Sequence, residues 1–405
     1  MQNKVDAIHL IITGWIARAA VCTTVAIGLL GCWVDPTSTG GGGLRLRWYQ
    51  PQAGYGQSRP AISNASVIFA TGDGQIIARD PARGNVQWRT KIASEQVSGY
   101  NLLTRSGVVV APVAYETVGL AAADGVILWR YAAPVDMLQN PANPSAGYVV
   151  GARIDGDSST AYLPAWGASV SALDIHTGRA RWIWYVDPSV QFRSGAVGTR
   201  ISGDTIFTAL WHFLDARGFR SEPWIVALDR LTGRELWKVI LPGFPSGGVA
   251  VNGAPAVYKN LVILTARGGD TWAIDRTTQQ VVWFFQAKTT LATVAEVELY
   301  GDVAYVDGGD GSIYALRASD GTIVWRAPFD GGTVVDILVT PRRLYAANGP
   351  TMFAFNRETG QRVAQQNVPG LSSAGGGSTI GSAAAFANNA IFVTVAGGAW
   401  SFDER

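Results

Sequence analysis

Leu173–Trp182 has the sequence Leu-Asp-Ile-His-Thr-Gly-Arg-Ala-Arg-Trp, and Leu228–Trp237 has the sequence Leu-Asp-Arg-Leu-Thr-Gly-Arg-Glu-Leu-Trp. Both stretches fit one pattern, an apolar residue followed by Asp-x-x-Thr-Gly-x-x-x-Trp. An Asp side chain in a turn accepts hydrogen bonds from backbone amides two residues further on, and Gly takes the positive φ that a hairpin turn demands. The pattern therefore predicts β-hairpins, and its turn residues are Asp174, Gly178, Asp229 and Gly233.

Weaker copies of the same frame occur along the chain: Asp80–Trp88, Ala121–Trp129, Asp275–Trp283, Arg317–Trp325 and Asn356–Ala364. In these copies Gln279 takes the Gly position and Ala364 takes the Trp position. The copies end at residues 88, 129, 182, 237, 283, 325 and 364, which are 41, 53, 55, 46, 42 and 39 residues apart. This period is typical of a four-stranded propeller blade, and the two long intervals predict insertions.

The two ends of the repeat region supply one further hairpin. Trp400–Asp403 matches the front half of the pattern, and Leu44–Trp48 matches the back half. Pairing them in one blade would remove an exposed sheet edge. The sequence therefore predicts an all-β fold, an eight-bladed β-propeller of four-stranded antiparallel blades spanning residues 44–405, closed by N- and C-terminal strands that share the last blade.

The tryptophan at the end of each hairpin is predicted to fill the gap between one blade and the next. Regular spacing is what packing requires, whereas an aromatic platform for a ligand, the alternative, would not need it. The tryptophans of this set are Trp48, Trp88, Trp129, Trp182, Trp237, Trp283 and Trp325.

Composition agrees with an all-β class and excludes several functions. The 405 residues include 48 Gly and 15 Trp, with 48% hydrophobic and only 15% charged residues, which disfavours disorder and long amphipathic helices. The net charge of +2 provides no global field for a polyanion, so nucleic acid is not an expected partner. Both cysteines, Cys22 and Cys32, precede the repeats, so the propeller itself has no thiol.

The first 32 residues resemble a bacterial lipoprotein signal. Basic residues precede an apolar run, Ala19–Leu30, which ends at Gly31-Cys32. The resemblance implies that Cys32 becomes the lipid-modified first residue. Residues 33–43 are predicted to form a flexible tether, because Thr-Ser-Thr followed by four glycines cannot bury apolar surface. An uncleaved membrane anchor is the alternative, but Arg18 within the span would be costly.

The hairpin pattern from Trp48 to the C-terminus resembles the quinoprotein-like (PQQ-like) repeat family. Dehydrogenases of this family hold calcium beside the quinone and place two adjacent cysteines over it. This chain has no adjacent cysteine pair, and no acidic and amide set aligns with that calcium site. No cofactor, metal, small-molecule substrate or catalytic residue is therefore expected, because the repeat specifies a fold and not a quinone site.

Two carboxylate-rich stretches and two histidines are the remaining candidates for site chemistry. Asp155–Asp157 and Asp307–Gly311 have the composition of calcium loops, but the register of Asp310 favours an ordinary turn between the middle strands of a blade. His176 lies in a predicted exposed turn, and neither His176 nor His212 has a Cys or a second His close in sequence, so metal binding would need long-range assembly.

The connection between the two middle strands and the connection to the next blade emerge on one face, where the length variation falls. Residues 139–157 lengthen the third blade, and residues 211–220 lengthen the fourth. Exposed Trp, Phe and Arg are typical of protein-binding surfaces. The predicted partner-binding residues are Trp211, Phe213, Arg217, Phe219 and Arg220. Alternatively, Trp211 and Phe213 end a strand and lie in the core.

A propeller with a lipoprotein signal resembles the scaffold lipoproteins of the outer-membrane β-barrel assembly machinery. The resemblance implies a non-enzymatic scaffold, lipid-anchored at the periplasmic side of the outer membrane, that binds an envelope protein complex. An accessory propeller of a surface-layer, pilus or polysaccharide system is the alternative, and a relative of the quinone-dependent dehydrogenases is a third.

Overall fold

The computed structural model describes most of the repeat region. The described residues are 44–55, 59–63, 65–93, 101–113, 116–132, 153–165, 169–186, 194–214, 221–241, 251, 253–266, 269–286, 296–329, 336–348, 351–368 and 383–404. They contain no helix that is long and apolar enough to cross a membrane. Cys32 and the predicted signal and tether lie outside them.

The first four sheets, blades 1 to 4, each contain four consecutive antiparallel strands. Blade 1 comprises β2 (Ala61–Ile62), β3 (Val67–Ala70), β4 (Gln75–Arg79) and β5 (Val86–Lys91); blade 2 comprises β6 (Leu103–Arg105), β7 (Val108–Val113), β8 (Glu116–Ala121) and β9 (Ile127–Ala132). Blade 3 comprises β10 (Asp155–Gly156), β11 (Thr160–Ala165), β12 (Ser169–Asp174) and β13 (Ala180–Tyr185); blade 4 comprises β14 (Ser194–Ser202), β15 (Thr205–Phe213), β16 (Ser221–Asp229) and β17 (Glu235–Ile240).

Blades 5 to 7 repeat this arrangement, and blade 8 joins the two ends of the chain. Blade 5 comprises β18 (Ala256–Tyr258), β19 (Leu261–Thr265), β20 (Thr271–Asp275) and β21 (Val281–Phe285); blade 6 comprises β22 (Glu298–Tyr300), β23 (Val303–Asp307), β24 (Ser312–Arg317) and β25 (Ile323–Pro328). Blade 7 comprises β26 (Asp336–Val339), β27 (Arg343–Asn348), β28 (Thr351–Asn356) and β29 (Arg362–Asn367); blade 8 comprises β30 (Ala383–Ala387), β31 (Ala390–Asp403) and β1 (Arg45–Tyr55).

Blade 8 closes the ring as the sequence predicts. The first half of β31 pairs with β30, and its second half pairs with β1 through Arg45↔Asp403 and Leu46↔Phe402. β31 therefore supplies both middle positions of a four-stranded blade. Each first strand also contacts the first strand of the next blade, and β30 contacts β2, so the eight first strands form a closed ring around the axis. The eight-bladed propeller prediction is confirmed.

Six blade junctions are made by a tryptophan of one blade and the turn of the next. The Trp129 indole donates to the Ile175 carbonyl at 2.8 Å, and a Cβ at Gly178 would lie 2.6 Å from that ring. The same bond joins Trp48 to Pro81, Trp88 to Ala122, Trp182 to Arg230, Trp283 to Ala318 and Trp325 to Arg357. Gly178 is thus needed for two reasons: its φ is +69°, and the indole occupies the space where a Cβ would lie.

The junction between blades 4 and 5 departs from this pattern. Gln279, at the glycine position, adopts a φ of +61° that a residue with a Cβ rarely takes. Among the described residues no indole hydrogen bond joins Trp237 to blade 5, and Trp237 is only half-buried, packed on Phe207 with ring centroids 5.7 Å apart. A Cβ in the turn leaves no room for an indole seated as at the other junctions.

Candidate functional site

The site suggested by the fold lies on one face of the ring. In an antiparallel meander, the connections between the second and third strands share a face with the connections between blades, here called the loop face. The opposite face carries the hairpin turns and is called the turn face. Because these loops are the most variable part of a propeller and binding residues concentrate in loops, the loop face is the candidate interaction surface.

Blade 4 extends further toward the loop face than blades 1 to 3 and 5 to 7. Its first three strands are each nine residues long, whereas the second and third strands of blades 1 to 3 and 5 to 7 are four to six residues long. The pairing continues to the tip, where Ser194 faces His212 and Phe213 faces Ser221. The insertion predicted at residues 211–220 is therefore partly a longer β-ladder and not loop alone.

The extended tip, here called the blade 4 tip, carries a cluster of polar and aromatic side chains. His212 lies over Trp224 with ring centroids 4.7 Å apart, and the Trp224 indole donates to Glu222 at 3.2 Å. Lys238 lies on the next strand, β17, and its ammonium is 4.6 Å from the centre of the Trp224 ring, within range of a cation–π contact. Trp224 is 4% exposed, so it forms the buried aromatic floor of the cluster, and His212, Glu222 and Lys238 contact it.

His212 is a weak base in this setting. Burial lowers its pKa, and the Lys238 charge adds to the lowering, while Glu222 opposes both. The imidazole is therefore neutral near pH 7 and packs as an aromatic ring. At the rim of the same tip Ile240 is 51% exposed, which gives the tip an apolar edge beside its charges.

The structure divides the predicted partner-binding residues into three groups. Trp211 is 6% exposed and packs in the core between blades 4 and 5, as the core alternative expects. Phe213 is the last residue of β15, and the same alternative expects it to end a strand. Arg217, Phe219 and Arg220 lie outside the described residues, as does most of the segment that lengthens blade 3.

The other candidates for site chemistry occupy turns. Asp73 and Asp310 both lie between the second and third strands, where Asp310 accepts hydrogen bonds from Tyr314 at 2.7 Å and Arg326 at 2.9 Å. Asp157 accepts backbone bonds from Ser159 and Thr160. His176 is exposed in its turn. Within the described ranges no three His, Cys, Asp or Glu residues are grouped as metal ligands.

Sequence reasoning missed the second half of the blade 4 tip. Glu222, Trp224 and Lys238 follow the variable loop, inside a stretch that reads as an ordinary strand pair. The apolar run Trp224–Leu228 is no longer than the third strands of ordinary blades, so its length gives no signal of the extension. The added residues of β16, 221–223, include Glu222 and Pro223, which do not predict a strand.

Fold and repeat together define an eight-bladed β-propeller of the PQQ-like repeat class. The family model described as Outer membrane protein assembly factor BamB matches residues 35–189, 168–311 and 293–404. The chain belongs to this family.

Two individual relatives are proteins of the same description, and a third is an enzyme. The chain is 25% identical over 318 residues to Outer membrane protein assembly factor BamB of Xanthomonas campestris pv. campestris, covering 67% of this chain and 74% of that protein. The crystal structure of BamB from Moraxella catarrhalis has the same fold, with a TM-score of 0.64 and 14% identity over 89% of this chain and 99% of that one. Quinohemoprotein alcohol dehydrogenase of Comamonas testosteroni is 26% identical over 226 residues, 54% of this chain but 27% of the enzyme.

Proposed function

We propose that this protein is a non-enzymatic scaffold of outer-membrane protein assembly and that it docks a protein of that machinery on the loop face. Membership of the family described as an outer membrane protein assembly factor is the observation that carries the proposal. The blade 4 tip supports it, because a buried aromatic floor with charged and apolar groups at its rim has the make-up of a protein-binding surface.

The site of docking is tested by variants at the two ends of blade 4. Ile240→Asp changes the loop-face end of the blade, and replacing Arg217 and Phe219 with Ala tests the residues predicted from the sequence; both changes should abolish partner capture without loss of fold. Leu231→Asp is the matched control, since Leu231 is 83% exposed in the hairpin turn at the opposite end of the same blade. Undiminished capture by the loop-face variants would move the docking site elsewhere.

The identity of the partner is tested by affinity capture from solubilised envelopes of the source bacterium, with the Ile240→Asp protein as the negative bait. Recovery of barrel-assembly proteins with the unmodified bait alone supports the proposal. Recovery of a different stable complex would instead favour an accessory propeller of another envelope assembly, such as a surface-layer, pilus or polysaccharide system.

A quinone-dependent dehydrogenase is the remaining alternative, and one comparison favours it. The likeness to the quinohemoprotein enzyme extends over half of this chain. Adding calcium and the quinone to the purified protein distinguishes this alternative, because tight binding with a shifted absorption spectrum would establish a cofactor site. If the protein is a scaffold, we expect neither tight binding of the quinone nor a shifted spectrum.

The anchor is a separate proposal. Cys32, at the end of the apolar run Ala19–Leu30, is the residue that a lipoprotein signal would leave as the acylated first residue, which would tether the propeller to the periplasmic side of the outer membrane. Mass spectrometry of the mature N-terminus tests this directly. A chain that retains Met1 in the membrane fraction would exclude lipidation.

A further inference from the structure

The outermost strand of each blade pairs on one side only within the described residues, which leaves a free sheet edge on the rim of the ring. Alternate backbone N–H and C=O groups on such an edge point outward and can pair with another chain, so natural proteins protect edges with charged side chains. Seven of the eight outer strands contain at least one charged residue: β1, β5, β9, β13, β17, β25 and β29. β21 of blade 5, Val-Val-Trp-Phe-Phe, contains none.

The uncharged stretch of blade 5 extends beyond the strand itself. All residues of 277–287 are uncharged. Four other blades place a basic residue directly after the junction tryptophan, namely Arg89, Arg130, Lys238 and Arg326. Blade 5 has Phe284 at that position, so its edge lacks the side chain that protects the others.

The apolar side chains of this strand reach solvent. Val282 is 51% exposed and Phe284 is 46% exposed. Phe284 lies opposite Trp272 in the ladder and stacks on its ring with centroids 5.2 Å apart, while Trp272 itself is buried. An exposed, uncharged edge of this kind is an aggregation hazard in a folded protein unless another chain covers it.

The junction beside this edge is the one between blades 4 and 5, where Trp237 is only half-buried. Trp272 belongs to the core of that junction, and Trp237 and Val239 of β17 pack against the same core. Phe284 shares a face of blade 5 with Trp272, because cross-strand partners lie on one face. Apolar groups from both blades therefore lie beside the free backbone edge.

We propose that the free edge of β21 binds an extended segment of another polypeptide by strand addition, and that this segment is uncharged and alternates apolar with polar side chains. Backbone pairing with the edge would supply affinity, and alternate side chains of the segment would pack on Phe284 and the apolar groups beside it. The edge lies on the rim and not on the loop face, so this proposal and the docking proposal for the blade 4 tip can fail separately.

A single extended chain fits this edge better than a second copy of the protein. Two propellers meeting rim to rim would touch along the five residues of β21, roughly 17 Å at 3.4 Å per residue. That contact buries far less than the area of about 800 Å² per partner that a stable interface needs. A charged segment fits poorly, because its charges would lose hydration against an uncharged surface without gaining a partner.

Fluorescence anisotropy of a labelled peptide, titrated with the full chain, measures the binding. The probe is a peptide of about ten residues that alternates Val and Thr, a length at the upper end of the usual strand range. We expect saturable binding of one peptide per chain. The same peptide with N-methylated backbone amides, and a peptide that alternates Val and Glu, should each bind about tenfold more weakly or worse.

Two variants of β21 locate the site. Phe284→Arg and Val282→Arg should each weaken binding about tenfold or more, because they restore a charge to the edge. Phe284→Arg is expected to fold, since Arg326 occupies this position in blade 6 and lies 5.7 Å from the centre of the Tyr314 ring. Val324→Arg is the matched control: Val324 also precedes a junction tryptophan, is 47% exposed and should tolerate the change with unaltered binding.

Three results would overturn the proposal. Equal binding of the N-methylated peptide would show that the backbone edge is not used, and equal weakening by Val324→Arg would show that the effect is not specific to blade 5. Light scattering of the unmodified chain provides the third: a dimer that Phe284→Arg dissociates would assign the edge to a second copy. Circular dichroism confirms that each variant retains the fold.

Discussion

At the scale of single residues, the junction between blades 4 and 5 has Gln279 where the other turns have Gly. Gln279 holds a left-handed conformation that costs a residue with a Cβ about 1–2 kcal/mol. Gln279→Gly should therefore raise the free energy of unfolding by about 1 kcal/mol, after the greater flexibility of Gly in the unfolded chain is subtracted. Chemical denaturation checks this, with Gly233→Ala as the reverse change, expected to destabilise. A lower denaturation midpoint for Gln279→Gly would contradict the explanation.

The tryptophans should differ in what they contribute. Trp129→Ala removes a buried indole together with its bond to Ile175 and should cost about 3–5 kcal/mol of stability. Trp237→Ala should cost less, because that indole is half-buried and lacks the bond to the next blade. Denaturation midpoints of both variants measure the difference. Equal losses would show that the seating of the indole does not matter.

Sequence alone predicts the junctions well and the interior poorly. The Gly positions of the pattern have positive φ in the structure, and Gln279 has it too, because the turn geometry is local and recurs. The pairs of Arg59 and Arg153 with Glu298 could not be predicted from the sequence, because these residues lie outside the hairpin pattern. Arg153 and Glu298 are also 145 residues apart. A contact across the axis leaves no periodic signal.

At the scale of strands, the two chain ends depend on each other. β1 holds the second half of β31 through a ladder supported by an ion pair of Arg47 with Asp403 at 2.7 Å. Removing the residues after Ala396 should unfold the whole ring, because it exposes two sheet edges and opens the core between blades 7 and 8. Calorimetry of the truncated chain measures this. Asp403→Asn is the control and should cost about 1 kcal/mol or less.

A truncated chain with the thermal midpoint of the intact protein would contradict the closure. The same blade explains why Ala364 stands where other copies have Trp. In blade 8 the paired strands β31 and β1 are not joined by a hairpin, so no turn glycine lies there to receive an indole. Ala364 packs instead in one cluster with Leu44, Trp400 and Phe402.

At the scale of the molecule, the ion pairs that Arg59 and Arg153 form with Glu298 across the propeller axis make stability depend on pH. Burial alone would favour protonated Glu298, but Arg153 and Arg59 hold its pKa at about 2, below its ordinary value of 4.5. Since the folded pKa is the lower one, the stabilisation is present above pH 4.5 and is lost as the pH falls toward 2. The free energy of unfolding should drop by up to about 3 kcal/mol over that interval, partly offset by Glu296, whose pKa burial raises.

Urea denaturation at a series of pH values measures this dependence. Glu298→Gln should be less stable at pH 7, because it leaves two guanidinium groups without their shared carboxylate, and should lose less stability on acidification. Glu116→Gln, which breaks an exposed pair with Arg130 on blade 2, should keep the wild-type profile. An unchanged acid slope in Glu298→Gln would assign the effect to other carboxylates.

The direction of β1 has a practical consequence. It begins at Arg45, opposite Asp403, on the turn face, whereas β15 ends at Phe213 on the loop face. Whatever is joined ahead of Leu44, an acyl chain or a biotinylated tag, is therefore attached on the side away from the blade 4 tip. Immobilising the protein by that end on a sensor chip would keep the attachment point away from the tip, which suits kinetic measurements with a candidate partner.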